Sequence, residues 1–136
     1  MKLFLLACAT AFFIALASFS PEQKQSFDLK SSMVKGKEIY ISNCISCHME
    51  NGEGIEEVYP PLAKSDYLMA DKKRSIVQVL KGAKGQMKVN GKVYDSEMAS
   101  IDLSDQEVSD VLNYVRNSFG NKGAAVTPAE VKASRK

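Results

Sequence analysis

The stretch Asn43-Cys44-Ile45-Ser46-Cys47-His48-Met49-Glu50 sets two cysteines and a histidine within five positions, and His48 is the chain's single histidine. Three chemistries use such a cluster: zinc binding, thiol–disulfide exchange and covalent attachment of haem. Each needs a different supply of further ligands and a different kind of flanking chain. The residues on either side therefore decide the fold.

Upstream, Lys2 is followed by an apolar run from Leu3 to Ala17 that ends in Ala15-Leu16-Ala17, a small-x-small cleavage pattern. Residues 1–17 read as a signal peptide, which implies export, in a bacterial setting to the periplasm. An uncleaved anchor giving membrane association is one alternative. Lipid attachment at Cys8 is another, because Leu5-Leu6-Ala7-Cys8 resembles a lipobox, although few apolar residues precede it. Once Lys2 leaves with this segment, the 18 Lys and Arg fall to 17 against 16 Asp and Glu. So nearly neutral a chain lacks the basic excess of a nucleic-acid binder. Cys8 leaves as well, so Cys44 and Cys47 are the remaining thiols. A domain of about 120 residues buries roughly two-thirds of its unfolded surface and needs no disulfide staple.

A closed zinc site takes four protein ligands, and two cysteines with one histidine fall short. A thioredoxin-like dithiol sits in a βαβ pattern, whereas this cluster follows a helical segment and precedes a Gly/Pro-rich loop. Haem attachment uses every residue present. Cysteines at i and i+3 lie about one helical turn apart, as two thioethers to one haem require, and the adjoining imidazole reaches the iron. C-x-x-C-H is the attachment motif of c-type haem. The sequence thus implies one covalent haem c held by Cys44 and Cys47, with its iron bound by His48.

With no second histidine, the opposite axial position falls to methionine or stays open. Met49 adjoins His48 and cannot reach across the ring. Met33 precedes the first helix, and Met69 lies in the middle segment. Met98, fifty residues beyond His48, lets the chain wrap around the haem edge and return, and is the favoured ligand. Met87 is the runner-up.

Around the cluster, residues 18–30 read as a flexible lead-in, and Ser31 or Ser32 is placed to cap a first helix through Asn43. Gly36 and Tyr40 share one face of it. A mid-helix glycine costs about 1 kcal/mol against alanine, which suggests close approach of another backbone there. Gly52, Gly54, Pro60 and Pro61 mark a loop. Asp66 and Asp71 are candidate caps, the second for a helix ending at Gly82 with Ile76, Val77 and Leu80 inward. Asn90-Gly91 signals a type I′ hairpin. Ser104 and Glu107 form a capping box ahead of an apolar stripe, Val108, Val111, Leu112, Val115 and Phe119, which Gly120 closes. Residues 121–136 read as a flexible tail with a short helix at Thr127-Pro128. The expectation is an all-α domain over 31–120 with a short distal hairpin.

From about Met33 to Phe119 the sequence resembles a class I monohaem cytochrome c. Gly36 and Tyr40 resemble that family's glycine–aromatic pair on the first helix, and Val111 and Tyr114 the matching pair on the last. The resemblance implies a small cytochrome c fold, its N- and C-terminal helices crossing around the haem. Pro60-Pro61-Leu62 resembles the family's proline-x-leucine element. It implies that the Pro60 carbonyl accepts the proton on the far nitrogen of His48 and that Leu62 packs on the haem. Ala99 stands where the family often has a proline after its ligand methionine. A narrower likeness is to exported cytochrome c modules that accompany copper nitrite reductases or quinoprotein dehydrogenases. The implied function is electron transfer, not catalysis, by a monomer that docks transiently with redox protein partners, with Lys72, Lys73 and Arg74 as a possible basic rim. A haem subunit held by an oxidoreductase is an alternative. So is a haem enzyme or gas sensor with an open or labile sixth position.

Overall fold

Asp28 opens the first helix of the computed structural model, which describes residues 27–136. Its carboxylate accepts the backbone N–H groups of Lys30 and Ser31 at 3.0 and 3.2 Å, so α1 spans Leu29–Asn43. The expected caps, Ser31 and Ser32, lie inside the first turn instead. Ser32 is buried there, and its hydroxyl donates to the Asp110 carboxylate. The expected signal segment 1–17, Cys8 and most of the expected 18–30 lead-in fall outside the described residues. Among the described residues no helix is long and apolar enough to cross a membrane.

Five further helices follow: α2 Ile45–His48, α3 Asp66–Ala70, α4 Lys72–Lys81, α5 Asp105–Val115 and α6 Pro128–Ser134. Between α4 and α5 the strands β1 Met87–Val89 and β2 Lys92–Tyr94 pair antiparallel around Asn90 and Gly91. Ser65, rather than Asp66, caps α3 by accepting from Leu68 N–H at 3.2 Å. Asp71 caps α4 through Arg74 N–H at 2.9 Å. The inner face of α4 is Ser75, Ile76 and Val79, with Val77 half-buried and Leu80 packed partly against the core.

The core forms where α1 packs on α5. A β-carbon on Gly36 would lie 1.9 Å from the Asp110 carbonyl oxygen and 2.9 Å from the Tyr114 β-carbon. Only a residue without a side chain lets the two backbones meet this closely. Below that contact the rings of Tyr40, Tyr114 and Phe119 have centroids 5.4 Å apart in each pair, in the tilted and edge-on arrangements that aromatic quadrupoles favour. Val108, Val111, Leu112 and Val115 are all buried, while the Ser104–Glu107 capping box closes the amino end of α5.

Phe119 does not extend that stripe. The α5 helix stops at Val115, and Phe119 has φ of 55°. Two side-chain amides capture the terminal carbonyls: Asn117 Nδ2 donates to Asn113 O at 3.1 Å and Asn121 Nδ2 to Val115 O at 2.8 Å. These partners satisfy acceptors that another helical turn would have used.

The segment 121–136, expected to be flexible, is packed. Val126 and Val131 are fully buried in the core cluster. Asn113 accepts Val126 N–H at 2.7 Å and returns its own N–H to Val126 O at 2.8 Å, and Ser109 donates to the same carbonyl at 2.8 Å. Thr127 and Glu130 form a second capping box with Pro128 at its start. Lys72 pairs with Glu130 at 2.5 Å, and Arg135 with Asp105 at 2.5 Å. Truncating Val131 to alanine is expected to cost about 2 kcal/mol, read as a lowered denaturation midpoint of the holoprotein. A mobile tail would leave that midpoint unchanged.

Candidate functional site

The break between α1 and α2 falls at Cys44, whose φ and ψ of −120° and −31° leave the helical region. The chain resumes for one turn: His48 N–H donates to Cys44 O at 2.9 Å and Cys47 N–H to the same oxygen at 3.2 Å. Cys47 and His48 are thereby fixed on one short helix with Cys44 at its cap. It ends at Met49, where φ is 62°. Tyr40, buried in the core, donates its hydroxyl to Met49 O at 2.6 Å and ties this exit to α1.

The loop after the cluster is held by its own backbone. Gly54 N–H donates to His48 O at 3.1 Å, and Leu62 and Ala63 N–H both donate to Gly52 O, at 2.7 and 2.8 Å. Pro60 is thus brought back to the histidine, with His48 Nδ1 and Pro60 O 3.0 Å apart. A carbonyl only accepts, so Nδ1 carries the proton and Nε2 keeps its lone pair. Burial lowers the His48 pKa, and the hydrogen bond to Pro60 opposes that shift. The ring orientation is thus set by Pro60, and Nε2 is the nitrogen left free to bind a metal.

Met98 is fixed from the other direction. Ala83 N–H donates to Met98 O at 2.9 Å, and Met98 N–H to Ala83 O at 2.8 Å. One cavity of about 390 Å³ is lined by Cys44, Cys47, His48, Pro60, Leu62 and Met98, all six residues selected from the sequence. Met87 lines it too, whereas Met33, Met49 and Met69 do not. Tyr67 and Gln78, neither of them singled out as site residues from the sequence, also line it. Gln78 Nε2 donates to the Tyr67 hydroxyl at 3.2 Å, a pairing across 11 residues that no local pattern announces.

The basic run 72–74 is not a free rim. Lys72 is engaged with Glu130 and the Ala125 carbonyl, and Arg74 lies 3.7 Å over the Tyr67 ring while donating to Tyr67 O. Lys73 is the exposed member.

The donor set bears on the competing chemistries. Among the described residues no group of three or more His, Cys, Asp and Glu side chains converges to hold a metal ion. Burial, reinforced by Cys47, pushes the Cys44 thiol up to about 11, the opposite of the lowered value that a reactive dithiol needs.

Residues 33–119 match the cytochrome c family, and the chain belongs to it. It is 33% identical over 110 residues to the cytochrome c subunit of a quinone alcohol dehydrogenase from Gluconacetobacter polyoxogenes, covering 77% of this chain and 23% of that subunit. It is 36% identical over 91 residues to cytochrome c-552 of Thermus thermophilus, covering 63% of this chain and 69% of the relative. The CcoP subunit of a cbb3-type cytochrome c oxidase from Azospirillum brasilense is 31% identical over 93 residues, 65% of this chain and 29% of that subunit. The chain therefore spans about a quarter of the alcohol dehydrogenase subunit. As a cytochrome c domain it carries a covalently bound c-type haem with iron. The residues present fit that group: two thiols one turn apart, an imidazole with a free nitrogen and a thioether, all on one cavity.

Gly54 is the tightest point of the loop that returns Pro60. With φ of 67°, it would place a β-carbon 2.3 Å from Tyr59 O and 2.8 Å from Pro60 O. Gly54→Ala is expected to destabilise the holoprotein by at least about 2 kcal/mol, measured by chemical denaturation.

Proposed function

We propose that this chain is a one-electron carrier whose haem iron is bound by His48 and Met98. The observation that supports this reading is the single cavity onto which Cys44, Cys47, His48 and Met98 all open. The haem supplies the electron chemistry, its iron passing between ferric and ferrous states. Cys44 and Cys47 hold it by adding their S–H bonds across its two vinyl groups. His48 offers Nε2 to the iron, while Pro60 holds the ring's orientation and raises its basicity. Met98 supplies a neutral thioether, which raises the potential, and its backbone is bonded to Ala83 in both directions. Leu62 lies among the apolar residues that keep water from the iron. With the one histidine already proximal, no distal imidazole is present to move protons, so the reading is a carrier and not an enzyme.

Residues 1–17 support export to the periplasm, with the cleaved form favoured over an anchored or lipidated one. Donor and acceptor proteins would dock transiently on a monomer. The alternative, a haem subunit held in an oxidoreductase complex, draws support from the likeness to alcohol dehydrogenase subunits. Size exclusion of the native extract separates the two, since a shuttle elutes alone and a subunit with its enzyme.

Met98→Ala is expected to abolish the sulfur-to-iron charge-transfer band, give high-spin ferric haem and lower the potential. Met87→Ala leaves the spectrum nearly unchanged, and the reverse result transfers the ligand role to Met87. Replacing Cys44 and Cys47 together by alanine is expected to release the haem into acidified organic solvent. Colour retained on the polypeptide would contradict thioether attachment.

A further inference from the structure

The chain between α4 and α5 leaves the body of the protein at Ala83 and returns at Met98. The two hydrogen bonds between those backbones close its base. Within the excursion, Met87 and Val89 line the cavity. Val89 and Tyr94, on the inner face of the hairpin, are 1% and 4% exposed. Lys88 and Val93 face solvent. Part of the cavity wall is therefore β1 of a two-stranded ribbon, an element with little stability of its own.

The far end of this ribbon is fastened to the start of α3. Asn90 N–H donates to Asp66 Oδ1 at 2.8 Å, and Asp66 N–H donates to Asn90 Oδ1 at 3.0 Å. Asp66 is the first residue of α3, and its neighbours Ser65, Tyr67 and Leu68 line the same cavity. Beside this pair Lys92 forms an ion pair with Glu56, in the loop between His48 and Pro60. Both groups of that ion pair are well exposed, so solvent screens it; the reciprocal pair is the directional tie. The turn does not by itself demand asparagine at position 90. With φ of 50° at Asn90 and 85° at Gly91, glycine or aspartate serves as well at the first position. The Asn90 side chain adds a neutral oxygen that accepts Asp66 N–H, while its backbone N–H meets the Asp66 carboxylate; glycine keeps only the second bond, and aspartate would set a second carboxylate beside Asp66.

We propose that Asp66 and Asn90 are positioning residues for the distal ligand: their reciprocal pair latches the 84–97 excursion over the cavity and so holds Met98 in the sixth position. The excursion is anchored at base and tip, and loss of the tip leaves the ribbon free to swing about the Ala83–Met98 bridge. An external ligand must wait for that opening, so its apparent affinity is reduced by the fraction of time the latch is closed.

The test is equilibrium binding of imidazole to the ferric holoprotein, with amide hydrogen exchange across residues 84–97 read separately without imidazole. Asn90→Gly keeps the left-handed turn and removes the amide; it is expected to tighten imidazole binding about fivefold and to speed exchange. Asp66→Ala has the same expected effect. Asp66→Asn keeps an acceptor oxygen and is expected to stay within about twofold of the parent. Unchanged imidazole binding in Asn90→Gly and Asp66→Ala overturns the proposal, whether or not exchange accelerates. Equal tightening in Asp66→Asn overturns it too, because the acceptor is then irrelevant. The proposal rests on Met98 as the ligand, so Met98→Ala is measured in parallel. If that variant keeps its charge-transfer band, the ligand assignment is what has failed, and hydrogen exchange still judges the latch itself.

Discussion

Contact between the α1 and α5 backbones at Gly36 is the constraint on which the rest of the molecule depends. A β-carbon there would stand 1.9 Å from the Asp110 carbonyl, so the two helices cannot adopt this spacing with any other residue. The spacing places Ser32 against the Asp110 carboxylate and Tyr40 against Tyr114 and Phe119. Tyr40 in turn reaches Met49 O, which fixes the exit of the turn bearing Cys44, Cys47 and His48. A contact between two helices thus sets where the thiols and the imidazole stand, although neither Gly36 nor Asp110 lines the cavity.

The buried polar groups beside this contact give it direction. Asp110 is 2% exposed yet is met by the Ser32 hydroxyl and, at 2.9 Å, by Gln106 Nε2. Asn113 donates to Ser32 Oγ at 3.0 Å and exchanges hydrogen bonds with Val126. Buried polar groups are costly unless paired, so a slide of either helix would break several of these bonds at once. Apolar packing holds the helices together, and the polar bonds select one register.

Local chemistry was legible in advance where a signal lies within a few residues. The Cys44-x-x-Cys47-His48 turn, the Ser104–Glu107 capping box, the left-handed pair Asn90-Gly91 and the cap by Asp71 each follow from short-range geometry. What escaped the sequence reading depends on partners far along the chain. Asn113 gives no local hint that it will grip Val126, and two buried valines are too few to show a helical stripe in 121–136. Asp66 looked like a cap, yet its side chain answers to Asn90, 24 residues away. Phe119 had the right spacing for α5 and the wrong backbone, because the amides of Asn117 and Asn121 end the helix first. In the site, the cavity gathered every residue chosen from the motif and the methionine count. Tyr67 and Gln78 were not singled out as site residues and came to the site only through the fold.

The bridge between Ala83 and Met98 has a consequence for how this domain tolerates change in length. Because the two ends of the excursion are already joined, residues added to it or removed from it alter a closed loop and not the path of α4 or α5. The entropy of such a loop grows slowly, by about 0.6 kcal/mol for each doubling. Residues 84–97 are thus the part of the chain that can be lengthened or shortened with least disturbance to the helices, provided that Asn90 still meets Asp66.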